Sequence, residues 1–285
     1  MRRQLHLLII DPQNDFCDLP ADYLPAGGKP APSLPVPGAH ADMLRVAELI
    51  NRGGAGIDEI SITLDSHHRL DIAHPGFWNS ANGDEVTPFT QISAADVRAG
   101  KYHPRVAAAL PRVLHYLDQL EAAGRYQLMV WPVHCEIGSW GHNVHADVRR
   151  AYNLWEERTL RSVTKISKGS NPWTEHYSAV QAEVPDPDDE LTQSNRPFLD
   201  SLAKADRIYI TGEAGSHCVK ATTEHIADYF GPEHMAKLVL VSDCMSPVSG
   251  FETQYRQFVA DMLARGARTA NAAQVLAEFQ ENAEG

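Results

Sequence analysis

Five short apolar runs, each leading to a residue able to do chemistry, constrain this chain more than any other feature of its sequence. They are residues 5–10 before Asp11, 59–64 before Asp65, 126–131 before Pro132-Val133-His134, 162–167 before Lys168, and 207–210 ahead of a turn that leads to Cys218. Each reads as a strand, and segments of helical spacing lie between them. Strand and helix in alternation predict right-handed crossovers and a mostly parallel sheet covered on both faces: an α/β, three-layer, doubly wound fold. Ligands bind such sheets beyond the carboxyl ends of the strands, so Asp11, Asp65, His134, Lys168 and Cys218 should gather along one edge. For any one of them alone, turn chemistry or solvation is a sufficient explanation. Their convergence is the argument for an active site.

The stretch at 210–222, ITGEAGSHCVKAT, runs from a strand through a glycine-containing turn into a helix expected over 218–229. Val219, Thr222, Thr223, Ile226 and Tyr229 share one side of that helix, which places the Cys218 thiol at its N-terminus. Unpaired N–H groups and the helix dipole there favour a thiolate and can stabilise an oxyanion. A buried, inert thiol is the competing reading and the commoner state of a free cysteine.

Between the five runs, helices are expected over 39–52, about 104–124 with Pro111 marking a break, 144–158, 197–203, 251–265 and 271–281, and a further strand over 237–242. Residues 18–38 read as a loop. Residues 75–104 show little periodicity and read as a long, lid-like loop. The acidic stretch EVPDPDDE at 183–190 reads as a solvated loop.

With 285 residues, 43% of them hydrophobic, the chain can bury one large core and suits one elaborated domain. A formal charge of −12 argues against a nucleic-acid or anionic-membrane partner. The N-terminal apolar run is short, contains His6 and lacks a small-residue cleavage site, so it reads as a strand and not as a signal peptide. No apolar stretch approaches the roughly 20 residues of a membrane helix. Cys17, Cys135, Cys218 and Cys244 are scattered without a CxxC pair, which suggests neither a disulfide framework nor a thiolate zinc site and fits the cytoplasm.

Asp-Pro-Gln-Asn-Asp-Phe at 11–16, Asp-Ser-His at 65–67, Trp-Pro-Val-His-Cys at 131–135, Lys-Gly at 168–169 and Ser-His-Cys-Val at 216–219, in that order, resemble the isochorismatase-like cysteine hydrolases. Within that superfamily the chain most resembles the nicotinamidases. The resemblance runs from residue 5 to about 248, inside a single domain over 1–285 with insertions near 75–104 and 175–197. Glu213-Ala-Gly-Ser-His-Cys stands where the family more usually has Ala-Thr-Asp-His-Cys.

The resemblance implies a catalytic triad of Asp11, Lys168 and Cys218, with Asp11 taking the thiol proton and later giving it to departing ammonia. Lys168 would hold Asp11 in place and favour negative charge on sulfur. The N–H groups of Ala214 and Cys218 would form the oxyanion hole, and the peptide joining Glu213 to Ala214 would be cis. Asp65, His67, His74 and His134 would bind a divalent metal ion; one carboxylate and three imidazoles suit Zn first, with Fe or Mn as alternatives. His68 competes with His74, which is preferred because His-Pro-Gly-Phe-Trp resembles the family's segment of His followed by an aromatic. The metal would bind the pyridine nitrogen of nicotinamide, orient its carboxamide toward Cys218 and lower the pKa of the hydrolytic water. Phe16 and Trp131 would sandwich the ring.

The implied reaction is hydrolysis of nicotinamide to nicotinate and ammonia through a thioester. A cysteine amidohydrolase acting on another small amide or carbamoyl compound is the alternative, and those branches generally lack the metal set. A catalytically silent binding member would have lost Cys218, Asp11 or Lys168, and all three are present. Homo-oligomers are common in the superfamily, and helix faces of this chain could support one.

Overall fold

Leu5–Ile10 forms β1, and all six of its residues are buried, the pattern of a strand covered on both faces. The computed structural model describes residues 2–285. Along the chain β1 is followed by α1 (Ala39–Gly53), β2 (Glu59–Asp65), β3 (Trp78–Ser80), β4 (Thr90–Ile92), α2 (Ala94–Arg98), β5 (Tyr102–Pro104), α3 (Leu110–Ala123) and β6 (Leu128–Val130). Then come α4 (Ala146–Thr159), β7 (Thr164–Lys168), α5 (Arg196–Ala203), β8 (Arg207–Gly212), α6 (Cys218–Phe230), β9 (Leu238–Val241), α7 (Glu252–Ala264), β10 (Arg268–Ala270) and α8 (Ala272–Glu284).

Six strands make one sheet in the order β10-β9-β8-β1-β2-β7, and every neighbouring pair is parallel. Helices flank it: α1 packs with α4 and α8, and α6 with α5 and α7. This is the expected α/β fold. The chain builds outward from β1 through β2 to β7 and then returns to lay β8 on the other side of β1. Loops leaving β1 and β8 therefore diverge, and that crevice is where Asp11 and the approach to Cys218 lie. Close pairing there demands a glycine. Gly212, opposite Ile10, has φ +114°, and a Cβ on it would stand 2.0 Å from the Ile10 carbonyl oxygen.

Several elements differ from expectation. The run 126–131 forms only the three-residue β6, which leaves the main sheet and pairs antiparallel with β4. His134 therefore reaches the site from a minor ladder. A short apolar run does not encode its partner, so periodicity could not separate the two cases. Residues 75–104 are not an open loop: they carry β3, β4, α2 and β5, with β3 and β5 paired antiparallel. The helix expected from 104 begins at Leu110, with Pro111 in its first turn, where a missing N–H costs nothing. β10, a three-residue edge strand, was not anticipated. Within the acidic stretch the Glu183 side chain is buried, 3.9 Å from Arg125, and not solvated. No helix among the described residues is long and apolar enough to cross a membrane.

His6 sits inside β1, its Nε2 2.9 Å from Ser61 Oγ, and burial pushes its pKa down from 6.5 to about 4. The fold therefore holds it neutral, while the unfolded chain takes up its proton from about pH 6.5 downward. This contribution is intact above pH 6.5 and is lost as pH falls toward 4, by up to about 3 kcal/mol. Denaturant titrations of wild type and His6→Gln should show the wild type losing more stability over that window; parallel curves would refute the assignment.

Candidate active site

Asp11 is the first residue past β1 and adopts φ +43°, which turns its carboxylate back over the strand ends. Its N–H donates to Thr63 Oγ1 at 3.0 Å, and the Thr63 hydroxyl donates to Asp11 Oδ1 at 2.5 Å. Lys168, the last residue of β7, lies opposite Asp65 in register. Its ammonium stands 2.9 Å from Asp11 Oδ2, 3.0 Å from Asp65 Oδ1, 3.0 Å from the His176 carbonyl oxygen and 3.6 Å from Cys218 Sγ. Cys218 opens α6. The structure thus brings Asp11, Lys168 and Cys218 together, all buried.

Burial, offset by Lys168, raises the Asp11 carboxyl above its ordinary range, with Asp65 adding to the rise. Burial also works against the Lys168 ammonium, but Asp11 and Asp65 outweigh it and hold the lysine firmly charged. The Cys218 thiol is pushed well up by burial, only partly countered by Lys168. The helix terminus and the lysine were expected to favour a thiolate; here burial wins, so the resting thiol keeps its proton and needs a base. Neither the Ala214 nor the Cys218 N–H has an acceptor among the described residues. The Glu213–Ala214 peptide is cis.

Beside this group His67, His74 and His134 present ring nitrogens within 4.8 Å of one another. Asp65 Oδ2 lies 3.0 Å from His67 Nε2 and 3.4 Å from His134 Nε2. The far nitrogen of each ring is tethered, His67 Nδ1 to Asp71 Oδ2 at 3.0 Å and His134 Nδ1 to the Pro132 carbonyl oxygen at 2.8 Å. Both leave Nε2 facing inward. His74 is fully buried, and neither of its nitrogens has a hydrogen-bond partner among the described residues. Burial, then the neighbouring imidazoles, drive its pKa down to about 3, so it keeps a free lone pair. Burial opposes charge on His67, but Asp65 and Asp71 override it and raise its pKa, a demand for positive charge at that point. An orphaned imidazole, two inward-facing nitrogens and a carboxylate oxygen fit a divalent cation. His68 is exposed.

Phe16 packs edge-on against His134, with centroids 5.4 Å apart. Trp131 sits among His217, Phe89 and Phe251, and its indole N–H donates to Tyr177 Oη at 3.0 Å. The two rings thus adjoin the histidine cluster and the Cys218 side of the site respectively.

Sequence reasoning missed the residues that wire the site. Gln13 clamps the end of β2, donating to the Asp65 carbonyl at 2.8 Å and accepting from the Asp65 N–H at 2.7 Å. Asp15 accepts from the Cys135 N–H at 2.7 Å, one residue past His134. Asp71 orients His67. Only Gln13 and Asp15 lay in a recognisable motif; Asp71 looked like any loop aspartate. Glu213 is buried in the turn before α6, where its Oε2 accepts from the Ser246 N–H at 3.1 Å. The Ser246 carbonyl in turn accepts from the Gly215 N–H at 2.7 Å, and its hydroxyl donates to Asp42 Oδ2 at 2.5 Å. Burial, reinforced by Asp42, pushes the Glu213 carboxyl well up.

No family model matches the chain, and no curated protein matches it. Solved structures do. The fold is that of the isochorismatase-like nicotinamidase and pyrazinamidase structures. The yeast nicotinamidase bound to the inhibitor nicotinaldehyde is 18% identical, with a TM-score of 0.62 over 94% of this chain and 100% of that one. A nicotinamidase/pyrazinamidase of Acinetobacter baumanii is 18% identical, with a TM-score of 0.61 over 96% and 98%. The pyrazinamidase of Pyrococcus horikoshii in complex with zinc is 19% identical, with a TM-score of 0.53 over 94% and 99%.

Glu213→Gln preserves an acceptor of the same shape and should change stability little. Glu213→Ala leaves the part-buried Ser246 N–H without its acceptor and should cost about 1–3 kcal/mol. Thermal melts of both variants compared with wild type check this; equal losses would mean the brace is not what holds the turn.

Proposed function

We propose that the protein hydrolyses nicotinamide to nicotinate and ammonia through a thioester on Cys218, with Asp11, Lys168 and Cys218 as its catalytic residues. One observation carries the reading: a single buried ammonium within 3.0 Å of two carboxylates and 3.6 Å of a thiol, beside three converging imidazoles.

Asp11 takes the Cys218 proton as Sγ attacks the carboxamide carbon. The oxygen of the tetrahedral adduct is met by the N–H groups of Ala214 and Cys218, which have no acceptor among the described residues. Asp11 returns the proton to nitrogen, the C–N bond breaks and ammonia leaves. Water then attacks the thioester, losing its proton to Asp11, and collapse expels the sulfur, which is reprotonated. The raised pKa of Asp11 suits this two-way traffic. Lys168 keeps the carboxylate in reach and offsets charge growing on sulfur. Asp65, His67, His74 and His134 would hold the divalent metal ion, Zn first, Fe or Mn otherwise, and when bound it supplies a Lewis-acid contact that orients the substrate's ring nitrogen. Phe16 and Trp131 would flank the ring. The zinc complex of the pyrazinamidase and the nicotinaldehyde complex of the nicotinamidase, proteins of the same fold, support the metal and the pyridine substrate. A single hydrolase domain, a cytoplasmic location and association into homo-oligomers complete the proposal; the four free cysteines are in keeping with the reducing compartment.

Purified protein should release ammonia from nicotinamide, and prior chelation should abolish the release. A folded, metal-loaded preparation that releases none would transfer the mechanism to another small amide. Cys218→Ala should lower turnover at least about a thousandfold while circular dichroism stays that of the wild type; retained turnover would remove the thiol. His67→Ala should lose stoichiometric metal by elemental analysis. Asp71→Asn should weaken metal binding by roughly 10–100-fold in a chelator competition, since it keeps the ring but loosens its orientation.

A further inference from the structure

A cavity of about 160 Å³ adjoins the candidate site, walled by Gln91, Tyr126, Gln127, His217, Phe251 and Gln254. His217 immediately precedes Cys218, and its ring lines the cavity while also touching Trp131, which does not line it. The ring meets Trp131 edge-on at 5.1 Å, Tyr177 at 5.2 Å and Phe251 at 4.6 Å, and stacks on Tyr126 at 6.0 Å and 25°. Cys218, Phe16, Trp131 and His74 are all at most 4% exposed, so a substrate needs a way in. The His217 ring makes a side-chain hydrogen bond only to Ser216 Oγ, at 2.9 Å, with no backbone tether among the described residues. Gln91 comes from β4, so the segment 75–104 supplies part of this wall through the small ladder with β6.

The lining also says what the cavity takes. An engineered cavity of about 150 Å³ holds one benzene, so this volume suits a single six-membered ring. Tyr126 and His217 offer flat faces. Gln91, Gln127 and Gln254, exposed residues of the cavity lining, carry carboxamides that can each donate and accept, the complement of a substrate carboxamide. Two cations line the cavity as well: Lys220 and Arg125 each lie 3.0 Å from the one Glu224 carboxylate, and Arg125 lies 3.9 Å from Glu183.

We infer that this cavity is the antechamber of the candidate active site, a subsite that takes up an aromatic carboxamide and passes it to Cys218 around the His217 ring. The inference rests on Cys218 as the nucleophile of the proposed reaction, but its test does not require nicotinamide to be the substrate. Gln91→Trp and Gln254→Trp, both at exposed positions, fill the cavity from two different elements. Iodoacetamide, itself a small neutral amide, reads access to each thiol by peptide mass spectrometry. In the wild type Cys218 should be alkylated at least tenfold faster than buried Cys17, Cys135 and Cys244. Both variants should slow Cys218 at least tenfold, leave the other thiols and the melting temperature unchanged, and lower kcat/KM for nicotinamide in parallel. Wild-type alkylation rates in both variants, or a wild-type Cys218 no faster than the other three thiols, would overturn the antechamber. Slowed alkylation in an enzyme that never turns over nicotinamide would keep the antechamber and sink the substrate assignment.

Discussion

One buried ammonium holds the centre of this molecule. Taking Lys168, Asp11 and Asp65 out of water costs several kcal/mol per ion, and attraction offsets that only where geometry is close and the remaining lone pairs are satisfied. Distances of 2.9 and 3.0 Å meet the first condition, and the Thr63 hydroxyl on Asp11 meets part of the second. The arrangement exists only if β1, β2 and β7 end at the same level, so the charges depend on sheet register and the register is in turn penalised for slipping. Cys218 joins the cluster because β8 pairs with β1 from the other side.

The segment 11–16 distributes that constraint. Asp11 faces the lysine, Gln13 clips the end of β2, Asp15 anchors the backbone after His134, and Phe16 rests on the His134 ring. Six residues thus tie the group of Asp11, Lys168 and Cys218 to the histidine group and connect the main sheet to the minor ladder that carries His134. Asp11 and Cys135 both adopt positive φ, 43° and 48°, conformations that non-glycine residues tolerate when surrounding contacts over-determine them. Leu160 shares that feature at the end of α4, where helix termination explains it.

Much of the layout was legible in advance because it is local. Apolar runs and helical spacing report which residues prefer which backbone, and the strand ends named the polar residues that would meet at one edge. The choice between His74 and His68 turned on a short motif, and in the structure the two differ completely in burial. What escaped is non-local. β6 looked like a sheet strand but found its partner in β4, and 75–104 looked unstructured because three-residue strands leave no periodic trace. Asp71 and Glu213 carry no local sign of their partners, His67 and Ser246. The acidic run at 183–190 hid one buried carboxyl, Glu183, whose pKa rises to about 7 chiefly through burial.

By itself the sequence determined the alternation of strand and helix, the order of the motifs and the kinds of donor at each strand end, since backbone preference and side-chain chemistry are properties of residues and their near neighbours. Tertiary structure alone decided that burial raises the pKa of the Cys218 thiol, that His74 has no hydrogen-bond partner among the described residues beside two tethered imidazoles, and that the His217 ring touches both Trp131 and a cavity. Those outcomes depend on how much water is excluded and which groups, distant in the chain, face one another across a few ångströms, quantities that exist only once the chain has packed.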